Sequence, residues 1–242
     1  MSNVLDIDRV WVSYAENDVL EDVSFQVRKG EIFGLMGLNG AGKTTLIKCI
    51  LNLRDQNSGV ISVLEKPRNS YQSKESLAYL PEKFEPPWFL TGTEFIKFSL
   101  SLYKRPFDKD VLIRAAEDLA LDVAALDRRV QTYSKGMRQK LGLLGTVLTG
   151  CPLLILDEPM SGLDPKARSL VKKMLLDVKG KGHTVFLSSH ILADMDEICD
   201  RVALLDEHFI KFIGKPAELK KKTSTENLEL AFLHYIEKKE VA

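Results

Sequence analysis

Residues 37–45 form a glycine-rich segment with the residue types that hold a phosphate chain. Glycines in such a loop let successive backbone N–H groups turn inward toward phosphate oxygens. Lys43 adds a positive charge near the outer phosphates, and the hydroxyl of Thr44 is a suitable ligand for Mg²⁺. The segment therefore predicts a nucleoside triphosphate site, and its predicted binding residues are Gly37, Leu38, Asn39, Gly40, Ala41, Gly42, Lys43, Thr44 and Thr45.

Two adjacent acids end a second apolar run at residues 153–156. If this strand lies beside the phosphate loop in a parallel sheet, Asp157 can hold Mg²⁺ through its water shell. Glu158 can accept a proton from the water that attacks the outer phosphate. The alternative is a strand that simply ends in a charged turn, but the phosphate loop upstream favours the metal and base roles.

Two further segments place polar groups where ligands commonly bind. Ser134 is a good helix N-cap and Gly136 permits close backbone approach. A helix start can bind an anion, although these two residues alone favour a capping role. His190 follows an apolar strand, at the end where α/β sheets bind ligands.

The elements that must position these residues have the pattern of an α/β protein. Several strand-length apolar runs are continuous, which is typical of parallel strands covered on both faces, and the alternating early strands predict an antiparallel edge. Between residues 91 and 148 apolar residues recur at helical spacing, which predicts a helical insertion. The proline-rich segment 81–87 leads into it, and Trp88 and Phe89 are expected to be buried anchors beneath it.

Composition narrows the classes of partner. The 34 Lys and Arg residues balance the 34 Asp and Glu residues, so no global field favours nucleic acid. The three cysteines are far apart, as expected of reduced thiols in a cytosolic chain. Asp6 and Asp8 argue against a secretory signal, and the longest charge-free stretch, 141–156, is shorter than the roughly 20 residues that span a bilayer. A membrane function would require a separate spanning partner.

The order of the motifs is specific: phosphate loop, Ser-x-Gly helix start, Asp157-Glu158, Ser161-Gly162-Leu163-Asp164, then Ser188-Ser189-His190. This series resembles the nucleotide-binding subunit of ATP-binding-cassette (ABC) transporters over nearly the whole chain. The resemblance implies an α/β P-loop NTPase fold with a mainly parallel sheet core, an antiparallel β edge and an inserted helical subdomain. We expect a single ABC ATPase domain over 1–242, with a core of 1–82 and 149–216, a helical subdomain of 83–148 and a C-terminal extension of 217–242.

The resemblance also implies a composite site made by two chains. Ser134 and Gly136 would contact the outer phosphate of an ATP molecule held by the phosphate loop of the opposite subunit. Two chains would thus enclose two nucleotides, and Asp164 would link the two sites. A pair of identical chains is preferred over a pair with a sister subunit, since one sequence contains both halves of the composite site.

The remaining implied roles concern the adenine ring, the metal and the outer phosphate. Tyr14 would stack on adenine, His190 would bond the outer phosphate, and Glu82 would sense the metal in a segment that contacts the membrane partner. The sequence departs from the common family pattern at Lys135, which replaces a glycine, and at Glu82, which replaces a glutamine. Glu82 can hold Mg²⁺ but would repel ATP without it, and both variants resemble members of two-component export systems.

The predicted function is an ATPase subunit that dimerises around two ATP and drives transport, expected to be export, by a separate membrane-spanning permease subunit. Glu158, His190 and Lys43 are the predicted catalytic residues, and Thr44, Asp157 and Glu82 are the predicted Mg²⁺ ligands. The expected location is cytoplasmic, on the inner face of the cell membrane through the partner, with no nucleic-acid partner.

Two other classes of function are alternatives: a soluble ABC-type ATPase, and another phosphate-loop enzyme such as a GTPase or a kinase. A soluble ABC-type ATPase acting on ribosomes or DNA is the alternative, although the single phosphate loop and the absence of sustained heptads weigh against it. A GTPase would show an Asn-Lys-x-Asp segment that reads guanine, and the sequence has none. No acceptor-binding lid of a small-molecule kinase is recognisable.

Overall fold

The computed structural model describes residues 2–15 and 17–237. Within these residues the strands are β1 (Asn3–Tyr14), β2 (Asn17–Arg28), β3 (Ile32–Met36), β4 (Ser58–Val63), β5 (Lys66–Pro67), β6 (Leu77–Leu80), β7 (Leu153–Asp157), β8 (Thr184–Ser189), β9 (Arg201–Asp206) and β10 (Phe209–Gly214). The α-helices are α1 (Lys43–Ile50), α2 (Tyr71–Glu75), α3 (Gly92–Leu102), α4 (Lys109–Asp118), α5 (Lys135–Val147), α6 (Pro165–Gly180), α7 (Leu192–Ile198), α8 (Pro216–Thr223) and α9 (Leu228–Glu237).

The larger sheet has six strands in the order β10-β9-β3-β8-β7-β6. The five strands from β9 to β6 are parallel, and β10 pairs antiparallel with β9 at one edge. Every residue of β3, β7 and β8 is buried. This explains why their apolar runs are continuous, and it confirms the predicted α/β fold with a mainly parallel sheet.

The early alternating strands form a sheet of their own rather than only an edge of the parallel one. Its order is β2-β1-β4-β5, and each pairing is antiparallel. The predicted antiparallel part of the fold is therefore confirmed, and it is larger than expected. Its apolar side packs against the parallel sheet, where the rings of Phe25, Phe33 and Phe186 stack at centroid distances of 5.2 to 6.2 Å.

Two hydrophobic cores lie on opposite faces of the parallel sheet. One core contains residues of the antiparallel sheet and α1, together with the residues of β3, β7 and β8 that face them. The other joins the alternate residues of those strands to the helices from α3 to α9. Because both faces are covered, the sheet edge at the carboxyl ends of the strands is the place left for a ligand.

The predicted helical insertion consists of α3, α4 and α5, with two short 3₁₀ helices, Val123–Asp127 and Val130–Thr132, between α4 and α5. The α3 helix begins at a capping box, in which Thr91 and Glu94 each satisfy a backbone N–H of the other. The predicted domain division stays a prediction, and residues 238–242 of the predicted extension lie outside the described range. No helix in the described part of the chain has the length and apolar character to cross a membrane.

The expectation that Trp88 and Phe89 are buried anchors is wrong. Their side chains are 63% and 56% exposed and contact each other edge to face. The Leu90 N–H donates to the Pro87 carbonyl oxygen at 3.1 Å, so the two aromatic residues occupy the middle of a tight turn at the surface. The space beneath the helices is filled instead by Phe84, whose ring packs against that of Phe95 at 5.5 Å.

The C-terminal helix α9 packs one narrow face against the core. Leu228 and Phe232 are buried and Ile236 packs against the same core. Leu233 is 37% exposed. A spacing of four residues keeps the first three on one side of the helix, whereas Leu233 follows Phe232 directly and points about 100° away.

Candidate functional site

Three neighbouring strands of the parallel sheet bring the predicted site residues together. β8 pairs with β3 on one side and with β7 on the other, so that Met36 lies opposite Ser189 and Asp157 lies opposite Ser188. The phosphate loop, the acidic pair and His190 follow these strand ends directly. The topology thus places them on one edge of the sheet, as the strand pattern predicted.

The phosphate loop has the backbone geometry that its glycines permit. Gly40 and Gly42 have φ values of 87° and 102°, which residues with a Cβ atom rarely adopt. A Cβ atom on Gly37 would lie 2.5 Å from the carbonyl oxygen of Leu205, so the chain needs glycine there. Helix α1 begins at Lys43, within the phosphate loop, and ends at Ile50.

Lys43 is a buried cation held within the loop that carries it. Its Nζ atom donates to the carbonyl oxygens of Gly37 at 2.7 Å and Leu38 at 3.1 Å. Burial lowers the pKa of Lys43, whereas the charges of Glu158, Asp157 and Glu82 oppose that shift. The positive charge of Lys43 therefore lies close enough to these three carboxylates to interact with them.

Asp157 connects the phosphate loop to the neighbouring strand. One carboxylate oxygen accepts from the Thr44 hydroxyl at 3.2 Å, and the other accepts from the Ser188 hydroxyl at 2.5 Å. Burial raises the pKa of Asp157, and these two hydrogen bonds act against the shift. The carboxylate is thus fixed in orientation beside the loop.

Glu158 is held against His190. The Nδ1 atom of His190 lies 2.7 Å from Oε2 of Glu158, and the backbone N–H of His190 donates to the same oxygen at 3.3 Å. Glu158 has a φ of 49°, in the left-handed region. Its backbone N–H donates to the hydroxyl and the carbonyl oxygens of Ser188, which helps to hold this unfavourable conformation.

These groups line a cavity of about 550 Å³ on the strand ends. Tyr14 and Val19 from the antiparallel sheet form one wall, and the phosphate loop and the acids form the other. The residues that line the cavity are Tyr14, Val19, Asn39, Gly40, Gly42, Lys43, Thr44, Thr45, Glu82, Asp157, Glu158 and His190.

Six predicted binding residues do not line this cavity. Three of them, Gly37, Leu38 and Ala41, belong to the phosphate loop itself, whereas Ser134, Gly136 and Asp164 lie on other elements. Ser134 caps α5 by accepting from the Met137 N–H at 3.2 Å, and Asp164 caps α6 by accepting from the Ala167 N–H at 2.9 Å. That N–H lowers the pKa of Asp164. A Cβ atom on Gly136 would lie 3.6 Å from Leu163, so the starts of α5 and α6 are adjacent. In a single chain they form a second cluster.

The donor set of the cavity suits Mg²⁺. The Thr44 hydroxyl and the carboxylates of Asp157 and Glu82 are hard oxygen ligands. The first two already approach each other at 3.2 Å. Among residues 2–15 and 17–237 no three His, Cys, Asp or Glu side chains form a cluster that could hold a metal ion.

Two residues of the site were given no role by the sequence patterns. Val19 belongs to an alternating strand, and only the sheet packing shows that it faces the cavity. Ser188 is fully buried at the end of an apolar run, where a hydroxyl needs a partner. That polar residue in a buried strand was the available signal, and its partners are Asp157 and Glu158.

A phosphate loop between a parallel strand and a helix, with an acidic pair at the end of a second parallel strand separated from the first by β8, defines the class of phosphate-loop nucleotide-binding proteins. A protein-family model described as "ABC transporter" matches residues 20–161. The chain therefore belongs to the ABC transporter family, whose ATP-binding domain binds and hydrolyses ATP, and the predicted resemblance is confirmed.

Known proteins agree with this assignment. An uncharacterized ABC transporter ATP-binding protein of Synechocystis is 39% identical over 83% of this chain and 57% of its own length. A fluoroquinolones export ATP-binding protein of Mycobacterium tuberculosis is 36% identical over 85% of this chain and 68% of its own length. A solved "ATP binding subunit of ABC transporter" superposes with a TM-score of 0.88 at 29% identity, over 96% of this chain and 99% of that one. The chain spans less than two thirds of the Synechocystis relative.

Proposed function

We propose that this chain is an ATP-hydrolysing subunit that drives transport by a separate membrane-spanning permease. The observation that carries the proposal is the buried Glu158 carboxylate, which lines the same cavity as Lys43 and the Thr44–Asp157 pair. A carboxylate at that place can take the proton of a water molecule that attacks the outer phosphate. His190, bonded to Glu158, fixes the direction of the carboxylate and stays beside the same phosphate.

ATP is the proposed nucleotide and Mg²⁺ the proposed metal. The phosphate loop would hold the phosphate chain by its backbone N–H groups, with Lys43 beside the outer phosphates. Thr44, Asp157 and Glu82 would hold Mg²⁺, which supplies positive charge to the phosphate oxygens during transfer. At the other wall of the cavity, Tyr14 would stack on the adenine ring.

The proposed active unit is a dimer, with two copies of this chain preferred over a pair with a sister subunit. The support is the second cluster, in which the capped start of α5 and the start of α6 lie side by side outside the cavity. Such a cluster can close the cavity of an opposing chain, with Ser134 and Gly136 on the outer phosphate and Asp164 between the two sites.

The proposed direction is export, and the proposed location is the cytoplasmic side of the cell membrane, through the permease. The relative from M. tuberculosis is named as an export ATP-binding protein, and it shares 36% identity with this chain. The departures at Lys135 and Glu82 from the common family pattern are in line with this direction.

The test is a pull-down of tagged Glu158→Gln protein from the native membrane fraction, in mild detergent with ATP, followed by mass spectrometry. The matched control is Lys43→Ala, which should not retain nucleotide. We expect one polytopic membrane protein at near-equal stoichiometry with Glu158→Gln and less with the control. Recovery of ribosomal or DNA-repair proteins with no membrane protein would contradict the transport function and favour the soluble alternative.

A further inference from the structure

An arginine outside the predicted motifs lies against the ring of Tyr14. The guanidinium carbon of Arg54 is 3.5 Å from the centroid of the Tyr14 ring. Tyr14 is 44% exposed and lines the nucleotide cavity. A cation over a ring face is attracted by the negative charge of the π system, and guanidinium stacks flat on such faces. Arg54 therefore covers one face of a ring that also borders the site.

Arg54 is tethered on both sides of this contact. Its Nη2 atom donates to the carbonyl oxygen of Ser13 at 2.7 Å, next to Tyr14 in the chain. Its own carbonyl oxygen accepts from Arg68 at 2.7 Å, and the same Arg68 nitrogen donates to the carbonyl of Cys49 in α1 at 2.6 Å. The guanidinium is thus fixed between the end of β1 and the end of α1.

The guanidinium group of Arg54 also has one nitrogen without a hydrogen bond. Its Nε atom is buried with no hydrogen-bond partner. Burial of an unpartnered N–H group is unfavourable, so a purely structural arginine would be expected to turn this group toward an acceptor. Contact with the aromatic ring is the interaction that this orientation preserves.

We propose that Arg54 is a positioning residue for the nucleotide base, because it holds the Tyr14 ring as a platform on which adenine stacks. The inference rests on the proposed ATP site and adds a residue that acts through Tyr14 without touching the nucleotide. Since Arg54 follows α1, whose first residues carry the phosphate loop, the base platform and the phosphate site belong to one connected unit.

The test is equilibrium binding of ADP to the full chain, with pyrophosphate as a ligand that lacks the base. ADP is not hydrolysed and needs only one subunit, so its affinity reports the single cavity. We expect Arg54→Ala to weaken ADP binding about five-fold, a typical loss for a cation–π contact, and to leave pyrophosphate binding unchanged. Arg114→Ala, on the exposed face of α4, is the matched control for loss of one positive charge.

A double-mutant cycle separates the outcomes. In the Tyr14→Ala background, Arg54→Ala should cause no further loss of ADP affinity, because the platform is already gone. Equal losses for ADP and pyrophosphate, or full additivity of the two substitutions, would overturn the role of Arg54. If Tyr14→Ala weakens ADP and Arg54→Ala does not, the Arg54 inference alone fails. If Tyr14→Ala has no effect on ADP, the proposed adenine site itself fails.

Discussion

Replacement of Lys43 tests the phosphate loop at the scale of a single residue. Its ammonium group lies among the charges of Glu158, Asp157 and Glu82, and two loop carbonyls hold it in place. We expect Lys43→Ala to abolish tight ATP binding, because the outer phosphates would lose the ammonium group that lies beside them and the negative charge of the carboxylates would be less well offset. Isothermal calorimetry with ATP and Mg²⁺ measures this, with Lys109→Ala in α4 as the control. An unchanged titration would remove the phosphate-loop assignment.

The three cysteines make a separate prediction about reactivity. Cys49, Cys151 and Cys199 are buried and free, and burial raises the pKa of each thiol. A raised pKa keeps a thiol protonated at pH 8, so the reactive thiolate is scarce. We expect negligible reaction with a thiol reagent in the native protein and reaction of all three after denaturation. Reaction of a native thiol at the rate of free cysteine would contradict the described packing.

At this scale the sequence predicts residue types better than residue contacts. Lys43, Asp157 and His190 line the cavity, as expected. They could be predicted because glycine-rich loops and strand ends are recognisable from short local patterns. The contact of Arg54 with Tyr14 joins a loop to a strand distant in sequence, and no periodicity encodes such a contact. The roles proposed for these residues stay predictions until the variants are measured.

The α5 helix packs closely against β6 and the segment that follows it, at Gly142. A Cβ atom on Gly142 would lie 2.7 Å from atoms of both Leu80 and Phe84. We expect Gly142→Ala to lower the free energy of unfolding by about 1–3 kcal/mol, since overpacking exceeds the gain in helix propensity. The melting temperature should fall by about 2–4 °C for each kcal/mol.

Gly180 provides the matched control, since it ends α6 and a Cβ atom there would have no neighbour within 4 Å. We expect Gly180→Ala to leave the melting temperature unchanged or slightly raised. If Gly142→Ala melts as the control does, the close approach of α5 to β6 is not present in solution.

Strands with a strong local hydrophobic pattern could be predicted, whereas the elements that pack against them were harder to predict. Continuous apolar runs correctly indicated β3, β7 and β8, since each is covered on both faces. The antiparallel strands were predicted as an edge and form a complete sheet, because strand periodicity states which face is buried but not against what. The prediction that Trp88 and Phe89 are buried was wrong for a similar reason. Their apolar character did not show that Phe84 fills the space beneath the helices instead.

On the scale of the whole molecule, the proposed site is completed by a second chain. We expect Glu158→Gln protein to form a dimer with ATP and Mg²⁺, because the second cluster of each chain would close the cavity of the other. Adding Ser134→Ala should weaken this dimer while ATP binding persists. Light scattering after size exclusion measures the mass of the species.

The control for that experiment is Thr91→Ala, because it removes a similar N-cap from α3 and costs a similar amount of helix stability, about 1 kcal/mol. The dimer should survive it. A dimer equally sensitive to Ser134→Ala and Thr91→Ala would mean that stability alone is responsible, and a dimer that forms without ATP would contradict closure around nucleotide.

ATP hydrolysis with Glu158 as the base is the central claim, and release of phosphate from ATP is the measurement that tests it most directly. The wild-type chain, Glu158→Gln and Lys43→Ala are compared at saturating Mg²⁺ and ATP. We expect turnover by the wild type, a fall of at least about 100-fold in Glu158→Gln with ATP still bound, and no tight binding in Lys43→Ala. Normal turnover by Glu158→Gln would contradict the assignment of Glu158 as the base.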